Sequence, residues 1–369
     1  MDAESDCIVN QTQVCPGATY SEKCDQFNYD SIAAARDGPA VVSLISSSCS
    51  IISSLFIIFT YFIWSDIRST SRQIIVFLSL ADFFTALGYV IGSSNYLQHY
   101  HSQHNTTSGN VNVSCEQFTR ACVLQSCITT WSSMASFWWS TFLAFHLYIT
   151  IVKEKVVLAG KLFPVYHVLA WITPLIITAV LLGKDELGYS SVAVSTWCYI
   201  REQSQKRNEV LLILIGGKLW EVAAYIAVVL LYLLTKLHVR HETKTAANRI
   251  SLSEGVITAI QQVDRKLIYI PVMFLLLRMW GTVQFIVASS IHKTDCHHCI
   301  SQPASIFLYI LGYLQGIGDG GQGWGNLILY VFTTKEIRER LFSCHKSPTP
   351  KSSAIQRNQY NRFYNTTQN

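Results

Sequence analysis

Seven long apolar windows are the feature that most restricts what this chain can fold into. A hydrocarbon core of about 30 Å is spanned by roughly 20 apolar residues in a helix. Windows of this kind lie at about 40–64, 73–98, 122–152, 164–183, 207–236, 265–290 and 304–334. Lipid offers no hydrogen-bond partner to the backbone, so each window is expected to be helical. We therefore expect an all-α membrane protein, with a seven-transmembrane helix bundle over residues 40–334.

The composition is typical of a chain that lies mostly in lipid. Half of its 369 residues are hydrophobic and 14% are charged, against about a quarter charged in soluble proteins. Residues 1–39 are polar and lack the apolar core of a signal peptide. We expect them to form an extracellular segment, with the first membrane helix as the targeting signal. Membrane lipids are expected partners of such a chain, and nucleic acid is not.

The distribution of basic residues predicts the orientation. With the N-terminus outside and the C-terminus in the cytoplasm, eighteen of the 28 Lys and Arg residues lie in cytoplasmic segments and eight lie outside. Cytoplasmic segments of membrane proteins carry such an excess of positive charge. We therefore expect a multi-pass protein of the plasma membrane in this orientation.

Glycosylation and cysteine patterns favour the same orientation. Sequons at Asn10, Asn105 and Asn112 lie on the expected outer side, where they can be glycosylated. Eight of the eleven cysteines also lie there, which indicates a disulfide framework: Cys7, Cys15, Cys24, Cys115, Cys122, Cys198, Cys296 and Cys299. The stretch from Cys296 to Cys299, with two histidines between, has zinc-ligand chemistry. A disulfide is the favoured interpretation, so no metal or cofactor is expected.

Five ionisable residues other than histidine lie inside the apolar windows: Asp82, Lys218, Glu221, Arg278 and Asp319. Each charge at the bilayer centre costs about 2.5–3.5 kcal/mol. Lys218 and Glu221 are three residues apart, share a helix face, and can pair with each other or reach Arg278 and Asp319. We expect both to point into the bundle, with at least one contacting Arg278 or Asp319. The network either orients the bundle as a buried polar lock, or lines a ligand cavity and changes partners on activation.

Five tryptophans and one glutamine are candidates for the walls of a ligand cavity. They are Trp138, Trp139, Trp220, Trp280, Trp324 and Gln284. A lipid-facing or interfacial position is an equally open interpretation for any single tryptophan.

The seventh window is rich in glycine. Residues 316–321 fit the pattern G-x-G-x-x-G, but a dinucleotide site of that kind needs a preceding strand, which is not expected here. The pairs Gly312/Gly316 and Gly321/Gly325 instead predict close helix packing. So many glycines also predict a bend near Asp319.

A short amphipathic helix is expected after the seventh window, within a cytoplasmic region over residues 335–369 that ends in a disordered tail. Ile337, Leu341 and Phe342 recur at helical spacing, a pattern typical of a helix lying on the inner leaflet. Cys344 follows them and is a candidate for palmitoylation, with a free cytosolic thiol as the alternative.

Several motifs resemble one family of receptors. They are Phe77-Leu-Ser-Leu-Ala-Asp82, Cys122-Val-Leu-Gln125, Gly217-Lys-Leu-Trp-Glu221 and the end of the seventh window from Gln322 to Tyr330. The chain resembles the G-protein coupled receptor 157 family of orphan receptors, in the secretin-like and cyclic-AMP-receptor-like group. The resemblance implies a disulfide between Cys122 and Cys198, an unidentified extracellular ligand, and a heterotrimeric G protein on the cytoplasmic face.

Two other classes of membrane protein are alternatives to a receptor. A seven-helix membrane hydrolase needs a His/Asp metal constellation, whereas His146 and His167 have no carboxylate at helical spacing. A transporter is expected to show inverted repeats and paired broken helices, and no internal repeat is visible. The sequence therefore predicts a receptor and not an enzyme.

Overall fold

The computed structural model describes residues 22–65, 68–105, 111–188, 197–201, 209–246, 269–294, 302–333 and 335–342. It describes the backbone alone at residues 22–36, 99–105, 111–119, 156, 209, 242–246, 288, 291–294, 302–305, 333, 335–336 and 342. Within these ranges the chain forms seven helical spans, as the apolar windows predict. They are span 1 (Glu22–Ile63), span 2 (Thr70–Asn105), span 3 (Val111–Ile151), span 4 (Phe163–His167, Val168–Ile172 and Thr173–Gly183), span 5 (Glu209–Ile213, Leu214–Lys218 and Leu219–Ala246), span 6 (Tyr269–Thr294) and span 7 (Gln302–Gly320 and Gln322–Thr333).

Five of the described helices are long and apolar enough, by length and composition, to cross a membrane. They are Asp37–Ile63, Thr70–Gln98, Phe163–Gly183, Val210–His241 and Tyr269–Val287. Spans 3 and 7 fall short of that measure. Span 3 carries many buried hydroxyls, among them Ser132, Ser136 and Ser140. Span 7 is interrupted at Gly321. Both have protein neighbours that replace lipid around these polar groups.

Span 3 occupies the centre of the bundle. It contacts spans 2, 4, 5 and 6, while span 1 packs between spans 2 and 7. Spans 4 and 5 lie at the periphery, and exposed apolar side chains such as Leu175, Ile226 and Leu230 cover them. An apolar face of this kind suits contact with lipid. Trp139 and Leu143 of span 3 are fully buried in the largest core cluster.

The expected glycine packing is present where span 7 meets span 1. A Cβ on Gly312 would lie 3.3 Å from the Pro39 side chain, and one on Gly316 would lie 3.0 Å from the Pro39 carbonyl oxygen. The two glycines of the second expected pair do not share a packing partner. Gly325 faces Leu277 and Met273 of span 6, whereas the atoms nearest to Gly321 belong to Ile317 and Trp324 of span 7 itself. The helix breaks at Gly321, two residues from Asp319, as the glycine content predicts.

Two spans contain a π-helical segment that frees a backbone carbonyl. In span 4 the segment is Val168–Ile172, and the Trp131 indole N–H donates to the Trp171 carbonyl at 3.3 Å. In span 5 the segment is Leu214–Lys218, and the Trp220 indole N–H donates to the Ile215 carbonyl at 3.0 Å. Because a π turn shifts the residues after it around the helix axis, the span 5 segment sets the direction of Glu221.

A two-stranded hairpin lies over one end of the bundle. Strand β1 (Leu187–Gly188) pairs antiparallel with strand β2 (Tyr199–Ile200). Leu187 and Ile200 are buried with Leu181 and Ile213 in one apolar cluster. This cluster fixes the hairpin to spans 4 and 5.

The expected C-terminal helix runs from Lys335 to Phe342. Ile337 is fully buried in the core cluster, and the Arg340 guanidinium lies 4.9 Å from the Trp64 ring centroid. The helix is therefore held against the end of span 1. Its contact with the inner leaflet stays a prediction.

Several expectations fall on residues for which no side-chain structure is described. Asn10, Cys344 and the stretch Cys296–Cys299 lie outside the described residues. Asn105 and Asn112 lie in helices whose side chains are not described at those positions. Glycosylation, palmitoylation and the remaining outer disulfides stay predictions.

Candidate functional site

Two oppositely charged pairs lie inside the bundle. Lys218 Nζ lies 2.8 Å from Glu221 Oε2, both on span 5. Arg278 Nη1 of span 6 lies 3.8 Å from Asp319 Oδ1 of span 7. Glu221, Arg278 and Asp319 are at most 5% exposed, so these charges face protein and not lipid. Lys218 and Glu221 were the two side chains expected to point into the bundle, and both line the same internal cavity, with side chains 17% and 4% exposed.

Glu221 is held by three donors. Its Oε2 accepts from Lys218, and its Oε1 accepts from the Tyr225 hydroxyl and, at 3.1 Å, from Thr282 Oγ1. Thr282 belongs to span 6, so this carboxylate joins spans 5 and 6. The hydrogen-bonding capacity of Glu221 is largely used by the protein itself.

The guanidinium of Arg278 makes only some of the hydrogen bonds that it can donate. Its Nη1 donates to the Tyr89 hydroxyl at 3.2 Å, and its guanidinium carbon lies 5.3 Å from the Phe137 ring centroid. The Nε and Nη2 atoms of Arg278 have no hydrogen-bond partner. A buried guanidinium with unmade hydrogen bonds is costly, so Arg278 can still donate hydrogen bonds to an incoming acceptor.

Asp319 is positioned by a glutamine and by a glycine. Gln315 Nε2 donates to Asp319 Oδ2 at 3.1 Å. Gly281 of span 6 faces the same oxygen, and a Cβ there would lie 2.9 Å from it. The absence of a side chain at Gly281 therefore lets the carboxylate approach span 6. Asp319 Oδ1 accepts no hydrogen bond.

Asp82 stands apart from these pairs. Ser136 Oγ donates to its Oδ1 at 2.6 Å, and Asn326 Nδ2 donates to its Oδ2 at 2.7 Å. Gln322 in turn donates to the Asn326 side chain at 3.2 Å. This carboxylate thus ties spans 2, 3 and 7 together through neutral partners.

The predicted five-residue network is therefore three separate groups. Among the described contacts, no hydrogen bond or ion pair joins Lys218 or Glu221 to Arg278 or Asp319, which corrects the expected contact. The reason is local. Lys218 pairs with Glu221 one turn away on its own helix, and the Glu221 carboxylate accepts its other hydrogen bonds from hydroxyl groups. The two pairs instead face one cavity.

That cavity has a volume of about 90 Å³ and lies beneath the hairpin. Lys218, Glu221, Arg278, Asp319 and Gln284 all contribute to its wall, as Gln284 was expected to do. Phe137 and Phe285 supply apolar walls. Drug-sized ligands occupy pockets of about 300–1,000 Å³, so in this form the cavity holds only a small group.

Three tryptophans predicted to line the cavity do not. Trp139 is fully buried and stacks on Phe77, with ring centroids 5.2 Å apart. Trp220 turns toward Trp138 at 5.8 Å, because its indole donates to the π-helical segment. Trp280 lies next to Gly318 of span 7.

One further candidate tryptophan lies elsewhere, and a tryptophan that was not a candidate lines the cavity. Trp324 donates its indole N–H to Ser46 Oγ at 3.1 Å, across the seam with span 1. Trp197, which sequence reasoning did not select, lines the cavity and lies 4.5 Å from the Tyr89 ring centroid. Loop residues carry no helical periodicity, so no sequence pattern singles out Trp197.

The expected disulfide between Cys122 and Cys198 is present and holds the hairpin to span 3. The Cys198 backbone N–H also donates to Gln125 Oε1 at 2.8 Å. Gln125 is fully buried and was missed as a site residue. It lies three residues after Cys122, on the same helix face, and that spacing was the available signal.

Tyr199 closes the cavity from the hairpin side. Its hydroxyl donates to the Ile213 carbonyl at 3.4 Å and faces Gly217. Burial raises the pKa of Tyr199, and the neighbouring Glu221 carboxylate adds to the rise. The side chain therefore remains a neutral donor. Among the described residues, no group of three or more His, Cys, Asp or Glu side chains is placed to hold a metal.

Known proteins of two kinds are similar to this chain. Residues 35–309 match the Frizzled/Smoothened family membrane region. The G-protein coupled receptor 157 of Mus musculus is 33% identical over 320 residues, covering 85% of this chain and 88% of the relative. The Homo sapiens protein of that name is 34% identical over 307 residues, covering 82% of each.

A solved structure has the same arrangement of helices. The crystal structure of squid rhodopsin superposes with a TM-score of 0.57 and covers 88% of this chain and 91% of that chain. The sequence identity is 14%, so this likeness concerns the fold alone.

Proposed function

Because this chain belongs to the G-protein coupled receptor 157 family, it is a G-protein-coupled receptor, and we propose that the cavity beneath the hairpin receives its extracellular signal. A heterotrimeric G protein engages the opposite, cytoplasmic face. The relatives are receptors by name, and none of these similarities favours a membrane hydrolase or a transporter.

The observation that carries this proposal is the meeting of spans 5, 6 and 7 at one small cavity. Each of the three spans contributes charge to the cavity wall: span 5 through Lys218 and Glu221, span 6 through Arg278, and span 7 through Asp319. A ligand shifts a conformational equilibrium only by as much as its affinities for the two states differ. Charged groups held in incomplete pairs provide such a difference, because small helix movements change their partners.

The distribution of positive charge supports the proposed orientation. The described chain carries Lys153 and Lys155 at the end of span 3, and Arg338 and Arg340 after span 7. Both ends are the ones away from the hairpin, so the basic side of the bundle is cytoplasmic by the distribution of charge. The N-terminus is then extracellular.

The test is guanine-nucleotide exchange by the full chain, reconstituted in lipid nanodiscs, on a panel of heterotrimeric G proteins. We expect exchange above that of empty nanodiscs with at least one of them, and a changed rate for Lys218→Met at an equal amount of folded receptor. Equal rates for the protein and for empty nanodiscs across the panel, with and without ligand pools, would contradict the proposal.

Orientation is tested separately. Epitope tags at the two ends, probed in intact and permeabilised cells, are expected to give an accessible N-terminal tag and a C-terminal tag that is reached only after permeabilisation. The opposite pattern would reverse the assignment of the cytoplasmic face.

A further inference from the structure

The cavity has more hydrogen-bond donors than acceptors. An Arg side chain carries five N–H donors and a Lys side chain three. Among the described contacts, Arg278 makes one hydrogen bond, from Nη1 to Tyr89, and Lys218 makes one, to Glu221. Nε and Nη2 of Arg278 are therefore unused. The described wall therefore offers unused donors to an incoming acceptor.

The acidic side chains of the cavity do not offset this surplus. Glu221 already accepts from Lys218, Tyr225 and Thr282. Asp319 keeps one free oxygen, Oδ1, which lies 3.8 Å from Arg278 Nη1. An ammonium group placed at that oxygen would lie beside the guanidinium and be repelled by it. A cationic ligand is disfavoured for this reason.

Part of the remaining wall is apolar. Phe137, Phe285 and Ile213 line the cavity together with the charged groups. The volume of about 90 Å³ admits only a small molecule while Trp197 and Tyr199 stay in place. A matching ligand has one anionic acceptor group and a short apolar body.

We propose that this cavity binds a small organic carboxylate, whose oxygens accept hydrogen bonds from the unused donors of Arg278 while Lys218 adds a second cation. Planar guanidinium and carboxylate groups form parallel paired hydrogen bonds, which favours a carboxylate over a round anion of equal charge. This inference rests on the proposed function, because it names the ligand class of the same cavity.

The experiment measures binding without any G protein. The purified full-length receptor in nanodiscs is heated with butyrate, benzoate or phenylacetate, and the shift in unfolding temperature is followed as a function of concentration. Matched probes are the corresponding neutral amides and benzylamine, with chloride and inorganic phosphate as simple anions. We expect stabilisation by at least one carboxylate and a much weaker effect of its amide.

Variants connect binding to the cavity. Arg278→Lys keeps the charge but loses the paired donors, and Lys218→Met removes the second cation. Hydrogen bonds to charged groups contribute enough for us to expect about tenfold to a hundredfold weaker carboxylate binding. Lys184→Gln removes an exposed cation outside the cavity and is expected to bind like the parent. If Arg278→Lys unfolds, Lys218→Met alone carries the comparison.

The outcomes separate the ligand class from the function. Equal stabilisation by amides or benzylamine, stabilisation by chloride alone, or no stabilisation by any carboxylate would overturn the proposed ligand class. Carboxylate binding that is weakened in both variants supports it, whatever happens to nucleotide exchange. Exchange that responds to benzylamine but to no carboxylate would leave the receptor function intact while refuting this inference.

Discussion

The Arg278 guanidinium and the Asp319 carboxylate lie 3.8 Å apart, at 3% and 5% side-chain exposure, and join span 6 to span 7 inside the bundle. Their separation is longer than a hydrogen bond, and Tyr89 holds the arginine from span 2. Spans 2, 6 and 7 thus meet at one cation. A helix movement that changes this separation changes the strength of the attraction between the two charges, and with it the electrostatic potential in the cavity.

Asp319→Asn is expected to destabilise the receptor strongly. Removing one partner of a buried pair leaves an uncompensated charge, which typically costs about 3–5 kcal/mol. Surface expression and the unfolding temperature of purified protein measure the effect. Asp185→Asn is the matched control: its pair with Arg201 is shorter, at 2.8 Å, but Asp185 is 73% exposed, so little change is expected. Equal effects of the two substitutions would show that burial of the pair is unimportant.

The double reversal Arg278→Asp with Asp319→Arg is expected to recover only part of the loss seen in either single reversal. The attraction is restored, but the contacts of Arg278 with Tyr89 and Phe137 are not. The coupling energy from the double-mutant cycle measures the pair directly. No recovery in the double variant would indicate that these two side chains do not stabilise each other.

Lys218→Met is expected to lower surface expression and to change basal nucleotide exchange at matched expression. Glu221 would keep only hydroxyl donors, Tyr225 and Thr282, around a buried carboxylate. Adding Glu221→Met removes that carboxylate and is expected to restore part of the expression. A double variant with normal expression and unaltered basal exchange would contradict a role for this pair in activation.

Gly318→Ala is expected to disrupt the contact between spans 6 and 7. A Cβ at this position would overlap the Leu277 carbonyl oxygen, a backbone atom that cannot turn aside. Gly160→Ala, in the short helix Val156–Lys161 that follows span 3, is the control. Nothing lies within 4 Å of its Cβ position, and alanine favours a helix by about 0.5–1 kcal/mol over glycine. Unfolding temperatures are expected to fall in the first variant and to stay level or rise in the second. Similar unfolding temperatures for the two variants would show that span 7 can move to accommodate a methyl group at Gly318.

Cys122→Ala and Cys198→Ala are each expected to lower surface expression, and the double variant is expected to resemble either single one. Both remove the same bond, and a native disulfide typically contributes about 2–5 kcal/mol. Cys127→Ala removes a free cysteine of the same helix and serves as the control. Detection of both residues as free thiols on surface-labelled receptor would contradict the disulfide itself.

Sequence reasoning located the charged residues of the site but not their partners. Lys218 and Glu221 stand out because charge is rare and costly in an apolar window, and their spacing predicts the pair that forms. Tyr89, Thr282 and Gln315 carry no such signal, since polar uncharged residues are common in these helices. Trp139 was wrongly assigned to the cavity because residue type alone does not specify which face of span 3 is central.

The sequence alone determines that this chain crosses the membrane in seven helices, because the cost of exposing backbone and charge to lipid depends on local composition. It also predicts a bend near Asp319, because the many glycines of this window weaken the helix, and the structure places the break at Gly321. Tertiary packing decides that Arg278 faces Asp319 while Glu221 turns to Thr282. Those choices depend on the rotation of each helix and on its register with neighbours. They are fixed by close contacts between distant segments, such as the glycine seam of spans 1 and 7 and the hairpin held by Cys198.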